Sequence, residues 1–176
     1  AIGCQGGRKA NIPGEDAEGV MTAVDFLRTV GADESYPVTG KAVVVGGGNT
    51  AAADALLLSN LAAKVILVHR RDSLRAAKVY HAPLQQAENV EFYWNRQVRE
   101  IRQGEIETEN LLTGQREVIP CDGVFVGIGR KPATELVKGI LTLDEQGYIV
   151  AEEDTSSNIP GVFAVGDVRT KNLRQI

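Results

Sequence analysis

Cysteine is scarce in this 176-residue chain: Cys4 and Cys121 are the only two. They are too widely separated for a C-x-x-C redox loop and too few for a structural zinc site, so neither chemistry is expected. Two incidental, reduced thiols fit a cytoplasmic protein. No apolar run approaches the length of a membrane span, and no signal-peptide pattern is visible. Excess positive charge is also missing. The net charge of −4 excludes a general polyanion-binding surface, and nucleic acid is not an expected partner. No internal repeat or low-complexity segment occurs. The aromatic group Phe92, Tyr93 and Trp94 reads as core and strand filler rather than a stacking platform for bases. What remains is an ordinary globular composition, 43% hydrophobic and 24% charged, long enough for one substantial core and part of a second.

The strongest pattern is KAVVVGGGNTAAADALLLSNLAAKVILVHRRDSLR, residues 41–75. Ala42 to Val45 is a β-branched run that fits a strand buried on both faces. Gly46, Gly48 and Ala51 then supply G-x-G-x-x-A. From Asn49, the residues Ala53, Leu56, Leu57 and Ala63 recur at helical spacing, and a second apolar run, Val65 to Val68, follows. Strand, glycine turn, helix, strand is the context of a dinucleotide-binding βαβ unit. Gly46 permits the tight turn, Gly48 lets a pyrophosphate approach the backbone, and Ala51 lets the helix pack on the sheet. The free amides and positive dipole end at the helix start would hold the phosphate charge.

The second strand ends in His69, Arg70 and Arg71, with Arg75 one turn on, and no acid occurs before Asp72. An NAD site usually places an acidic residue here for the ribose 2′-hydroxyl. Guanidinium groups instead suit a 2′-phosphate, through charge-assisted and bidentate bonds. NADPH is therefore the expected cofactor.

GGGNTA at Gly46 to Ala51, with Asn49 and Thr50 inside it, and HRRDSLRA at His69 to Ala76 resemble the NADPH-binding signatures of thioredoxin reductase and its relatives. These are the FAD-dependent pyridine nucleotide-disulfide oxidoreductases. GIGRKPAT, with Ile128 and Gly129, resembles that family's second glycine signature, although Ala133 stands where the family often has Asn. TSSNIPGVFAVGDV resembles the FAD-binding segment, with a buried strand Val162 to Val165 and then Gly166 and Asp167. The resemblance implies that Asp167 accepts a hydrogen bond from the flavin ribityl chain. It also implies flavin contacts at Gly3, in AIG, and at Arg174 and Gln175, in LRQI. GRKANIPGED is closer to the small subunit of glutamate synthase, a protein of the same wider group. One departure matters: the family's C-x-x-C precedes the glycine motif, and VDFLRTVGADESYPV has no cysteine. The thiol–disulfide step does not carry over.

The expected fold is α/β. A Rossmann-like NADPH domain, a parallel sheet with helices plus an antiparallel β-meander, is flanked by FAD-domain remnants at both ends. The expected segments are 1–20 (remnant and linker), 21–132 (NADPH domain) and 133–176 (partial FAD segment). Within them a helix is predicted at Met21 to Val30, with Val24, Leu27 and Val30 on one face. A helix over Ala77 to Glu88 is predicted to break near Pro83. Val90 to Trp94 is predicted as a third parallel strand, Val98 to Ile119 as the meander, and Asp122 to Ile128 as a further buried strand. A hairpin is predicted around Glu145-Gln146-Gly147.

Three functions follow from this reading. In the first, the chain is the NADPH-binding piece of an FAD-dependent oxidoreductase. Hydride passes from nicotinamide to flavin and on to an unidentified acceptor, and the piece alone is inactive. No side chain reads as a catalytic acid, base or nucleophile. In the second, it is a non-catalytic dinucleotide-sensing module. In the third, it is a flavin-free NAD dehydrogenase, which leaves Asp167 unexplained. A redox partner protein and a homodimer are compatible with the first.

Overall fold

Val43 and Val44 stand side by side in sequence and face opposite layers of the molecule, and that alternation organises the fold. The computed structural model describes residues 6–32 and 38–171. Gly3, Cys4, Arg174 and Gln175 lie outside the described residues. In chain order the elements are β1 (Gly6–Gly7), β2 (Val20–Thr22), α1 (Ala23–Ala32), β3 (Lys41–Val45), α2 (Asn49–Ser59), β4 (Lys64–Val68), α3 (His81–Gln86), β5 (Val90–Tyr93), β6 (Arg96–Arg102), β7 (Glu105–Asn110), β8 (Arg116–Pro120), β9 (Gly123–Val126) and β10 (Arg130–Lys131). The chain divides into two compact units, Lys9–Gly129 and Ala1–Arg8 with Arg130–Ile176.

In the larger unit a five-stranded sheet runs β2-β9-β3-β4-β5, every pair parallel. Because successive strand residues point to opposite faces, Ala42, Val44, Val65, Leu67 and Phe125 meet the helices. There they pack with Phe26 of α1, Ala51, Ala52, Ala55 and Leu58 of α2, and Leu84 of α3. Val43, Ile66, Val68, Val124 and Val126 take the other face and pack with Val98, Ile101, Ile106 and Ile119 of the β6-β7-β8 meander. The result is helices, parallel sheet and antiparallel sheet in three layers, the Rossmann-like α/β fold expected. Val43, Val44, Val65 and Leu67 are fully buried, and each such side chain stabilises the fold by roughly 1.5–3 kcal/mol.

Several local readings need correction. The helix begins at Ala23, because Val20–Thr22 pairs with Val124–Val126 as an edge strand. Thr22 then closes the first turn, accepting the Asp25 amide at 3.2 Å while its hydroxyl donates to the Asp25 carboxylate. Phe26, rather than Leu27, is the wholly buried residue, held edge-on to Phe125 with ring centroids 4.6 Å apart. Pro83 does not break α3. It sits in the first turn, where its missing amide costs nothing, and the irregular turn lies earlier, at Lys78–Tyr80. The stretch 9–20, grouped by sequence with the first segment, lies within the larger unit: Ala10 and Ile12 pack on its core, and Pro13 accepts the Ile101 amide at 2.8 Å.

The smaller unit has a core of Ile149, Ala164 and Val168. Its hairpin around 145–147 forms as expected, with Leu143 bridging Ile149 and Asp144 accepting the amides of Gln146 and Tyr148. The buried strand expected at Val162 to Val165 does not form. A single Ser156–Phe163 bridge supports it. Only Ala164 turns into the small core, while Phe163 and Val165 are 62% and 66% exposed. Among the described residues no second strand flanks it.

Candidate functional site

The turn between β3 and α2, with Gly127 facing it from the end of β9, is shaped by its neighbours at three glycines and left open at a fourth. Gly46 has φ +149°, and a Cβ there would lie 2.5 Å from the Gly127 carbonyl oxygen and 2.7 Å from the Ala51 Cβ. At Gly47 a Cβ would strike the His69 ring at 2.2–2.4 Å, and at Gly127 it would strike Ala51 at 2.9–3.1 Å. These three are glycine because the fold leaves no room. Gly48 is different. It caps α2 in an extended conformation (φ −92°, ψ −174°) with no side-chain cap, and a Cβ there would meet nothing within 4 Å. The space above Gly48 and the uncapped amides of α2 are what an anion would use.

A cavity of about 380 Å³ opens on this turn. Gly46, Gly47, Gly48 and Thr50 form its floor, and His69, Arg70 and Arg75 form one side. Gly127, Ile128 and Gly129 follow from the end of β9, and Ala10, Ile12, Arg96, Gln97 and Val98 complete the wall. The segment after the arginines is stitched to the glycine turn. The amides of Arg75 and Ala76 donate to the Gly47 carbonyl at 2.8 and 3.1 Å, and the Ala77 amide donates to the Asn49 side chain at 2.7 Å. Arg75 is thereby fixed beside the phosphate turn.

Eight of the eleven residues expected for NADPH therefore line one cavity: Gly46, Gly48, Thr50, His69, Arg70, Arg75, Ile128 and Gly129. Asn49, Ala51 and Arg71 do not. Asn49 spends its carboxamide on Ala77, Ala51 is wholly buried against Gly46 and Gly127, and Arg71 is exposed. Sequence reasoning missed Gly47 and Gly127, both readable in principle from the unbroken GGG and GIG runs. It also missed Ala10, Ile12, Arg96, Gln97 and Val98, which no local signal marks, because only tertiary packing brings them here.

The electrostatics are lopsided. Among the described residues no ion pair forms to Arg70, Arg71 or Arg75, whereas every arginine of the meander faces a glutamate. Arg96 pairs with Glu117, Arg99 with Glu109 at 2.8 Å, Arg102 with Glu100 at 2.6 Å, and Arg116 with Glu107 at 3.1 Å. His69 is 5% exposed, and its Nε2 has no partner among the described residues. Burial lowers its pKa, and Arg75, Arg71 and Arg70 lower it further, against a hydrogen bond to the Ser73 backbone. The imidazole is neutral at pH 7. Cys121 is buried, and burial pushes its thiol up to about 11, which makes it a poor nucleophile.

In the smaller unit, Gly166 and Asp167 sit in a short turn, Gly166–Val168, and Asp167 pairs with Lys171 at 2.6 Å. No group of three or more potential metal ligands occurs among the described residues, and no described helix is long and apolar enough to cross a membrane.

A family model described as pyridine nucleotide-disulphide oxidoreductase matches residues 1–176. A thioredoxin reductase of Peptoclostridium acidaminophilum is 39% identical over 179 residues, covering 96% of this chain and 56% of its own length. A 34.2 kDa protein in the rubredoxin operon of Clostridium pasteurianum is 43% identical over 138 residues, 76% of this chain and 45% of that protein. The crystal structure of Lactococcus lactis thioredoxin reductase matches with a TM-score of 0.85 at 32% identity, over 96% of this chain and 56% of that one. The chain spans about half the length of these relatives.

Proposed function

The chain belongs to the pyridine nucleotide-disulphide oxidoreductase family, and from that premise we propose that it is the NADPH-binding portion of an FAD-dependent oxidoreductase. One juxtaposition supports the reading: arginines with no carboxylate partner stand in the same cavity as a glycine that the fold does not require. The uncapped start of α2 and the open face of Gly48 take the pyrophosphate. Arg70 and Arg75 take the 2′-phosphate, each through charge-assisted bonds. Ile128 and Gly129, following β9, border the far side of the nucleotide.

When bound, NADPH supplies a hydride, and a flavin of the whole protein receives it. This chain's residues bind and orient the nucleotide and take no covalent part. Asp167 is assigned to the flavin, together with Gly166; Gly3, Arg174 and Gln175 are carried by resemblance alone. Asp167 must exchange its Lys171 partner, or share it, to accept from a flavin hydroxyl. The segment VDFLRTVGADESYPV just before the glycine turn has no cysteine, so electrons leave toward an acceptor other than a C-x-x-C in this position. A redox partner protein, an iron–sulfur centre or a small molecule fits that role, and the cytoplasm is the compartment proposed.

Calorimetric titration of the chain with NADPH and NADH tests the assignment. Hydrogen bonds to a charged group are worth roughly 1.5–3 kcal/mol each, so NADPH should bind at least tenfold more tightly. Equal affinities would refute the 2′-phosphate site.

A further inference from the structure

The least explained group in the cavity wall is the imidazole of His69. It is almost wholly buried, and its ring lies so close over Gly47 that any Cβ there would overlap it. The Ser73 backbone accepts a bond from the ring, which leaves Nε2 as the nitrogen without a partner among the described residues. A proton placed on Nε2 in the free protein would be a buried charged donor with no acceptor, an expensive arrangement.

The charges around the ring point the same way. Its own turn presents Arg70, Arg71 and Arg75, with Asp72 engaged by the Ser73 hydroxyl at 3.0 Å. The glycine turn contributes no ionisable side chain. From β5 and the residue after it come Tyr93, under the Arg96 guanidinium at 4.9 Å, and Trp94, whose ring centroid is 6.3 Å from that of His69. From β6 comes Arg96, already paired with Glu117. The free protein therefore holds a neutral imidazole inside a ring of like charges that it cannot join.

A bound 2′-phosphate reverses both conditions. It brings about 1.5–2 negative charges at pH 7 and three acceptor oxygens to the side of the cavity shared by His69, Arg70 and Arg75. It offsets the arginine field and supplies what a protonated imidazole lacks. A 2′-hydroxyl brings no charge and can itself donate to a neutral nitrogen. We propose that His69 is a proton-linked specificity residue: a nucleotide with a 2′-phosphate enters together with one proton, held on the imidazole, and a nucleotide with a 2′-hydroxyl enters without it. The proton count is the same for a direct Nε2–H bond to phosphate and for a charge interaction across the ring. This inference rests on the dinucleotide reading of the cavity.

The direction of the linkage is fixed. A group whose pKa is higher in the complex than in the free protein strengthens binding as pH falls through the bound value. The gain levels off below the free value, and the slope is at most tenfold per pH unit for one proton. The preference for NADP⁺ over NAD⁺ should therefore grow between pH 8 and pH 6.5.

The test is calorimetry of the 176-residue chain with NADP⁺ and NAD⁺, at pH 7 in two buffers of different ionisation enthalpy and then from pH 6 to 8.5. Uptake of up to one proton with NADP⁺ and little with NAD⁺ is expected. Trp94, the chain's single tryptophan, gives a second readout, because a protonated imidazole nearby quenches indole emission; NADP⁺ should move that quenching transition to higher pH. In His69→Gln, uptake should vanish. The remaining pH dependence should be that of the phosphate's own ionisation near pH 6, which weakens binding as pH falls. Tight NADP⁺ binding with no uptake, or equal uptake with both nucleotides, would overturn the proposal and leave the NADPH site standing. Failure of both nucleotides to bind would remove the site and this inference with it.

Discussion

Two groups of arginines border the same larger unit and live in opposite circumstances. Those of the meander, Arg96, Arg99, Arg102 and Arg116, each meet a glutamate of the same three-stranded sheet. Those after β4, Arg70, Arg71 and Arg75, meet none among the described residues. The first group lies in pairs along a half-exposed sheet, Arg102 with Glu100 of its own strand and the others across strands, and its charge is spent. The second is held in place by backbone: the amides of residues 75–77 are tied to the glycine turn, so the positive charge is positioned without being neutralised. An arginine with a partner is part of the scaffold. One fixed in place without a partner is waiting for an anion.

Four variants would break or sharpen that contrast. The largest effect should come from Arg70→Ala with Arg75→Ala. Losing two charge-assisted contacts, roughly 1.5–3 kcal/mol each, should cost NADPH at least a hundredfold in affinity and leave NADH almost unchanged. Arg71→Ala should cost less, since Arg71 does not line the cavity. If calorimetry shows both nucleotides weakened equally by the double change, the arginines are not reading the 2′-phosphate. Next is Gly48→Val, which leaves every cation in place and fills only the open space over the turn. Nucleotide affinity should fall about tenfold, ~1.4 kcal/mol, with the urea midpoint unmoved. A folded variant with native affinity would show that the cradle lies elsewhere. The smallest effect belongs to Arg99→Ala. Arg99 and Glu109 form a partly exposed pair, worth about 1 kcal/mol of stability or less, and nucleotide binding should not change. A loss of binding here would erase the distinction between the two groups.

The glycine turn and the two strands around it were legible because the hydrophobic period changes from strand to helix at the glycines themselves. Asn49 does open α2, and the meander and the third parallel strand lie where alternation and turn residues placed them. The three-residue strand β2 was not legible. Val20–Thr22 runs straight into a helix, and its partner, β9, is about a hundred residues away, so no local pattern distinguishes it from a first helical turn. The strand expected at 162–165 failed for the opposite reason: VFAV has strand composition, but a strand also needs neighbours. At the site, residue types predicted the cations and the phosphate turn. They did not predict that Asn49 would serve Ala77, nor that Arg96 and Gln97 would form a wall, since both depend on how β6 folds back over the sheet.

The sheet order carries a consequence for how the molecule is made. β9 lies between β2 and β3, although it is the last of the five strands to be synthesised. The β3-α2-β4-β5 unit and the meander depend on near neighbours and can form early, while the strand that joins β2 to the rest closes loops of 80 to 100 residues and must come late. Gly127, Ile128 and Gly129 arrive with it. On a ribosome, every nascent chain that has not yet reached Gly129 would expose one bare edge of β3 and an incomplete nucleotide cavity. Ligand capture during translation would thus report the arrival of the final strand, and premature termination before it would leave an edge open to pairing with other chains.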